Sequence, residues 1–131
     1  MTILVADDNL LSRELMRELL EASGHVILEA ANGCNALDLI HQNTPDLVFL
    51  DLEMPIQDGF SVIRELRNNA SFRNLAVVAV TASAMLGDRE RALAAGFDSY
   101  IAKPIDLSEV ERQVKLFSSL STRNQLERFL G

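Results

Sequence analysis

The apolar positions of the chain fall into two alternating kinds of stretch. One kind is short and nearly continuous: Ile3-Leu4-Val5-Ala6, His25-Val26-Ile27-Leu28-Glu29-Ala30, Leu47-Val48-Phe49-Leu50, Ala76-Val77-Val78-Ala79-Val80 and Ser99-Tyr100-Ile101-Ala102. Runs of this length, rich in branched and aromatic side chains, predict strands covered on both faces, as in a parallel sheet. The other kind repeats at helical spacing. Leu11, Leu15 and Leu19 with Met16 and Leu20 predict a first helix, and Ala36, Leu37, Leu39 and Ile40 a second over Asn35 to Gln42. Ile63 and Leu66 mark a third between Gly59 and about Asn68, and a fourth covers Ala84 to Ala95 or starts late, at Gly87-Asp88. Leu107, Val110, Val114 and Phe117 form one stripe of a fifth.

Punctuation supports these boundaries. Asn9 can cap the first helix and Asp106 the fifth, where Glu109 completes a capping-box pattern. Gly24 and Gly96 follow helices where a left-handed residue is wanted, and Thr44-Pro45-Asp46 turns the chain into the Leu47 strand. Strand and helix thus alternate five times, with no repeat and no linker. Short strands joined by helices require a parallel sheet with right-handed crossovers. The economical solution is an α/β fold with a doubly wound, five-stranded, flavodoxin-like sheet, (βα)5.

Length and composition narrow the function classes. A chain of 131 residues makes one domain, large enough to bury roughly two thirds of its unfolded surface. Twelve basic against nineteen acidic residues leave a net charge of −7, which opposes nucleic-acid binding. A single cysteine, Cys34, excludes an internal disulfide; it stands at a helix start without a ligand-spaced partner, so a packing role is expected. No apolar run reaches the ~18 residues of a membrane span. Met1-Thr2-Ile3 opens directly into a strand and not a signal peptide. The expectation is a cytoplasmic protein without a membrane partner.

The strand ends carry the chemistry. Strand one delivers Asp7 and Asp8, strand three Asp51, strand four Thr81 and strand five Lys103. In a parallel sheet these ends share one edge, the edge where open α/β sheets bind ligands. Three carboxylates together repel one another, and burying them unpaired would cost several kcal/mol each. A hard divalent cation such as Mg²⁺ resolves this, since it takes oxygen ligands, keeps waters and shares its site with phosphate. Lys103 adds a compact positive charge and Thr81 a hydroxyl for an anionic oxygen. The grouping suits a metal and a phosphoryl group held together. His25 and His41 lack ligand-spaced partners and are expected at the surface or a strand edge, not in catalysis.

Taken in order, Leu4-Val5-Ala6-Asp7-Asp8-Asn9, Asp51-Leu52-Glu53-Met54-Pro55-Ile56-Gln57-Asp58-Gly59, Thr81-Ala82 and Tyr100-Ile101-Ala102-Lys103-Pro104 closely resemble the receiver (phosphoacceptor) domain of two-component response regulators, single-domain type. The resemblance spans about Thr2 to Leu120. It implies that Asp51 is the phosphoacceptor, attacking a phosphohistidine on a sensor histidine kinase or histidine phosphotransfer protein. Asp8 and Asp51 would ligate Mg²⁺, with Asp7 acting through a water and the Glu53 backbone carbonyl supplying another oxygen. Lys103 would offset charge on the phosphoryl oxygens. Thr81 would be the switch hydroxyl and Tyr100 the aromatic that turns inward behind it. A cis bond is expected between Lys103 and Pro104. The output would be a changed surface of the fourth helix, fifth strand and fifth helix, offered to a downstream protein target by a monomer or weak homodimer.

Two alternatives stand beside the receiver reading. A Mg²⁺-dependent aspartyl phosphatase would want a second Asp two residues after its nucleophile, where this chain has Glu53, and a cap domain for which no residues remain. A receiver cut from a longer regulator is the other alternative. On the receiver reading the chain is a signalling module and not an enzyme, limited to self-phosphorylation and slow self-dephosphorylation. The division expected is a receiver over 1–120 and a short helix or linker over 121–131. Ser118 to Ser121 are expected to interrupt the fifth helix, and Thr122 to start a new one that docks through Leu126, Phe129 and Leu130.

Overall fold

The computed structural model describes residues 1–82 and 87–130, with side chains described as far as Ser119. Five strands alternate with five helices: β1 (Thr2–Ala6), α1 (Leu10–Ala22), β2 (Val26–Ala30), α2 (Gly33–Asn43), β3 (Leu47–Asp51), α3 (Gly59–Asn68), β4 (Ala76–Thr81), α4 (Asp88–Ala95), β5 (Ser99–Ala102) and α5 (Leu107–Leu130). All strand pairs are parallel, in the order β2-β1-β3-β4-β5. This is the doubly wound, flavodoxin-like sheet that the alternation of runs predicts.

Strand periodicity divides the core into two layers. Leu4, Ala6, Val48, Leu50, Val77 and Ala79 point to one face and pack with Ala36, Ile40, Val62, Ile63, Leu66 and Ala92 of α2, α3 and α4. The intervening Ile3, Val5, Leu47, Phe49, Val78 and Val80 point to the other and pack with Met16, Leu20, Val110 and Val114 of α1 and α5. Both faces are covered, which is why the inner runs of β1, β3 and β4 are almost wholly apolar and do not alternate, while the edge strands β2 and β5 admit Glu29 and Ser99.

Several boundaries differ from expectation. Helix α2 starts at Gly33 and not Asn35, because Asn32 takes the cap position and its side chain accepts the Asn35 N–H at 2.8 Å. Cys34 in its first turn is exposed, not packed. Strand β2 begins at Val26; His25 lies outside it, its Nδ1 3.1 Å from the chain's amino terminus. Helix α4 takes the late start at Asp88, and its possible earlier residues 84–86 lie outside those described. Asp106 caps α5 by accepting the Ser108 N–H at 2.9 Å, while the Glu109 carboxylate turns to Arg112 and Gln113.

Helix α5 runs without a break to Leu130, through the serines expected to interrupt it. Each Ser costs a helix only about half a kcal/mol relative to Ala, too little to end one already nucleated. The docking expected of Leu126, Phe129 and Leu130 concerns side chains outside those described.

Candidate functional site

Register aligns the site. Ala6 pairs with Leu50, Asp51 with Val80 and Thr81 with Ala102, so the residues that follow leave the sheet at one edge. Asp7 and Asp51 are each 3% exposed, whereas Asp8 lies at the surface. One carboxylate oxygen from each of Asp7, Asp8 and Asp51 falls within 4.8 Å of the other two. The Lys103 ammonium reaches into this cluster, 2.9 Å from Asp51 Oδ2 and 3.0 Å from Asp7 Oδ2. The Lys103-Pro104 bond is cis.

The loop after β3 is shaped around Asp51. Its Oδ1 accepts the Glu53 N–H at 2.9 Å, and the Glu53 side chain itself is exposed. Asp58 caps α3 by accepting the Ser61 N–H at 2.8 Å. Gly59 is required because a Cβ there would stand 2.6 Å from the Asp51 carbonyl oxygen. Just before them the Gln57 N–H donates to the Pro55 carbonyl at 2.7 Å, closing a three-residue turn at Ile56 with φ +70°. A branched residue in that conformation is strained, and Ile56 is 81% exposed beside the site.

Electrostatics follow from this packing. Burial pushes the Asp51 carboxyl up to about 6, with the Asp7 charge adding to the rise, while the Glu53 N–H and Lys103 pull it back. Burial lowers the Lys103 ammonium, but its bonds to Asp51 and Asp7 outweigh that and its pKa ends above the ordinary value. The site is therefore short of positive charge, and its donors are all oxygens, two of the three carboxylates buried. That set fits a hard divalent cation such as Mg²⁺.

Thr81 is buried at the end of β4, and its carbonyl accepts the Lys103 N–H at 2.7 Å. Tyr100 is set farther back, opposite Ala79 in register, half-buried against the α2-α3-α4 layer. Burial and the charges of Asp88 and Glu90 raise its hydroxyl pKa. The fold thus gathers Asp7, Asp8, Asp51 and Lys103 into one cluster, sets Thr81 beside Lys103 and leaves Tyr100 on the adjoining strand.

Sequence reading missed Arg13, whose Nη1 donates to the Asp7 carbonyl at 2.7 Å. It also missed that Leu10, Leu11 and Leu15 are 57%, 66% and 48% exposed, only Met16 and Leu20 of α1 being buried. Leu11, Leu15 and Met16 face Pro104, Ile105 and Leu107 across a groove of about 290 Å³ that opens beside Lys103. Leucine spacing alone could not show which side of α1 meets the sheet.

Known proteins share both the sequence pattern and the fold. DivK, the polar-differentiation response regulator of Brucella anthropi, is 37% identical, the match covering 88% of this chain and 94% of DivK; DivK of Brucella ovis is 36% identical over the same shares. A Francisella response regulator receiver domain superposes with a TM-score of 0.85 at 28% identity, covering 92% of this chain and 98% of that one. The receiver domain of a Pseudomonas aeruginosa sensor histidine kinase, solved with a magnesium ion coordinated in its active-site cleft, gives 0.81 at 31% identity, covering 88% and 95%. The family model of the response regulator receiver domain matches residues 3–115, and the chain belongs to that family, the receivers of two-component signalling.

Proposed function

We propose that the chain is a phosphoacceptor that takes a phosphoryl group on Asp51 from the phosphohistidine of a sensor histidine kinase or histidine phosphotransfer protein. A carboxylate oxygen of Asp51 forms the new P–O bond as the P–N bond to the donor imidazole breaks, its electron pair staying with the imidazole nitrogen. The observation that carries this reading is the Lys103 ammonium seated between Asp51 and Asp7, with Asp8 in the same cluster. Asp8 and Asp51, with Asp7 through a water and the Glu53 carbonyl, would hold Mg²⁺, which when bound supplies charge to offset the phosphoryl oxygens. Lys103 orients the same oxygens, and the buried Thr81 hydroxyl turns to one of them. Tyr100 then carries the change toward the face made by α4, β5 and α5, where a downstream protein target docks.

The donor meets the exposed leucines of α1 and the groove beside Lys103, an apolar surface that adjoins the acid cluster. The chain acts in the cytoplasm as a monomer or weak homodimer, with 1–120 as the receiver; among the described residues no helix is long and apolar enough to cross a membrane. Incubation with Mg²⁺ and acetyl phosphate tests the reading. One base-labile phosphate per chain is expected, lost on chelation of the metal and lost in Asp51→Asn. Wild-type labelling in that variant would refute it.

A further inference from the structure

Every polar atom of Asp7 has a partner. Its N–H donates to the Ala30 carbonyl at 3.0 Å, Oδ1 accepts the Asn9 N–H at 2.9 Å, and Oδ2 pairs with Lys103 at 3.0 Å. The remaining atom, the carbonyl oxygen of the peptide joining Asp7 to Asp8, belongs to Arg13. That guanidinium comes from the first turn of α1, its side chain only 15% exposed, and donates through Nη1 at 2.7 Å.

Arg13 is not placed as a simple ion-pair partner. Its Nε lies 3.4 Å from Glu29 Oε1 on β2, yet is buried without a hydrogen bond among the described residues. An arginine set to pair with a carboxylate would square its fork on the two oxygens. Here the short, aligned bond goes to the Asp7 carbonyl and Glu29 receives the loose one. Glu29 is itself held by Arg17 at 3.0 Å, and Arg17 by Glu21 at 2.9 Å. The chain of charges runs from the exposed side of α1 to the peptide between two metal-site acids.

We propose that Arg13 is a positioning residue for the Asp7-Asp8 pair: it fixes their shared peptide, with Glu29 steadying the guanidinium, so that both carboxylates present a geometry a divalent cation accepts. This rests on the metal reading of the site given above. Mg²⁺ demands a near-ideal octahedron, and residues that orient its ligands typically govern affinity by 10- to 100-fold. The alternative effect of Arg13 has the opposite sign. A cation beside the acids repels Mg²⁺, so if charge were all that mattered, its removal would tighten binding.

Calorimetric titration of the full chain with MgCl₂, at fixed pH and ionic strength, separates the two. Arg13→Met is expected to raise the Mg²⁺ Kd about tenfold, with Arg13→Lys recovering most of the loss because an ammonium can still donate to the carbonyl. Glu29→Gln, which keeps the guanidinium but loosens it, should weaken binding by a smaller factor. Urea unfolding of each variant establishes that the protein titrated is folded, and should Arg13→Met not fold, Glu29→Gln carries the test. A wild-type chain that takes up no Mg²⁺ overturns the metal reading and this inference together. A wild type that binds, with an equal or tighter Kd in the folded variant, overturns the role of Arg13 alone.

Discussion

As the proposed phosphoacceptor, Asp51 would combine two requirements that oppose each other: it would have to be an anion to attack, and it is almost fully buried. An acid whose pKa rises on folding, here from 3.8 to about 6, binds its proton more tightly in the native state. Its contribution to stability is therefore greatest below about pH 4, declines as pH rises through 6 and is level above. In metal-free buffer at pH 7.5, Asp51→Asn should be more stable than the wild type by on the order of 2 kcal/mol. The advantage should shrink as pH falls from 6 to 4, which urea titrations across that range would measure. Arg67 is the structural counterpart at the opposite end of α3. Its guanidinium bonds the carbonyls of Phe72, Arg73, Leu75 and Gly96 and the Asp98 carboxylate, at 2.8 to 3.1 Å. Arg67→Met should lower unfolding stability by about 2–4 kcal/mol, and Arg67→Lys should recover little, since one ammonium cannot span that set. Neither Arg13 nor Arg67 was legible in the sequence, because their partners are main-chain carbonyls that only the folded chain brings near. The acids and Lys103 were legible because each stands where an apolar run stops.

Helix α1 shows where element patterns mislead. Its leucines repeat at the spacing of a buried stripe, yet the buried side is set by Met16 and Leu20, and Leu11 and Leu15 face water. Strands were easier to read, since in the inner strands of a sheet covered on both sides nearly every position is apolar and no choice of face is left. Helix α2 began early because Asn32 takes the cap position three residues before the expected start, and α5 ran on because serines penalise a helix without stopping it. The exposed leucines of α1 lead to a prediction at this scale. Leu15→Glu should slow phosphoryl transfer from a histidine phosphotransfer protein at least about tenfold, since an acid in an apolar contact is costly. It should leave labelling by acetyl phosphate near the wild-type rate, because a small donor needs no docking surface. Equal slowing of both donors would place the effect in the site and not in the groove.

For the whole molecule, the sheet edge joins the acid cluster to the elements that would carry a signal away. Thr81 ends β4 beside Lys103, and Tyr100 on β5 lies near the acidic start of α4. Thr81→Ala should still accept phosphate, because on the proposed reading its hydroxyl would report the phosphoryl group without attacking it. Its affinity for a downstream partner should then depend little on phosphorylation, which binding measurements with and without acetyl phosphate would read. All of this depends on where the phosphoryl group is bonded. The most direct measurement is reduction of the freshly phosphorylated chain with borohydride, which converts an aspartyl phosphate to homoserine, followed by mass analysis of its peptides. The account predicts homoserine at position 51 and unmodified aspartates at 7, 8 and 58. Homoserine at one of those three, or a base-stable phosphate on serine or threonine with Asp51 intact, would contradict it.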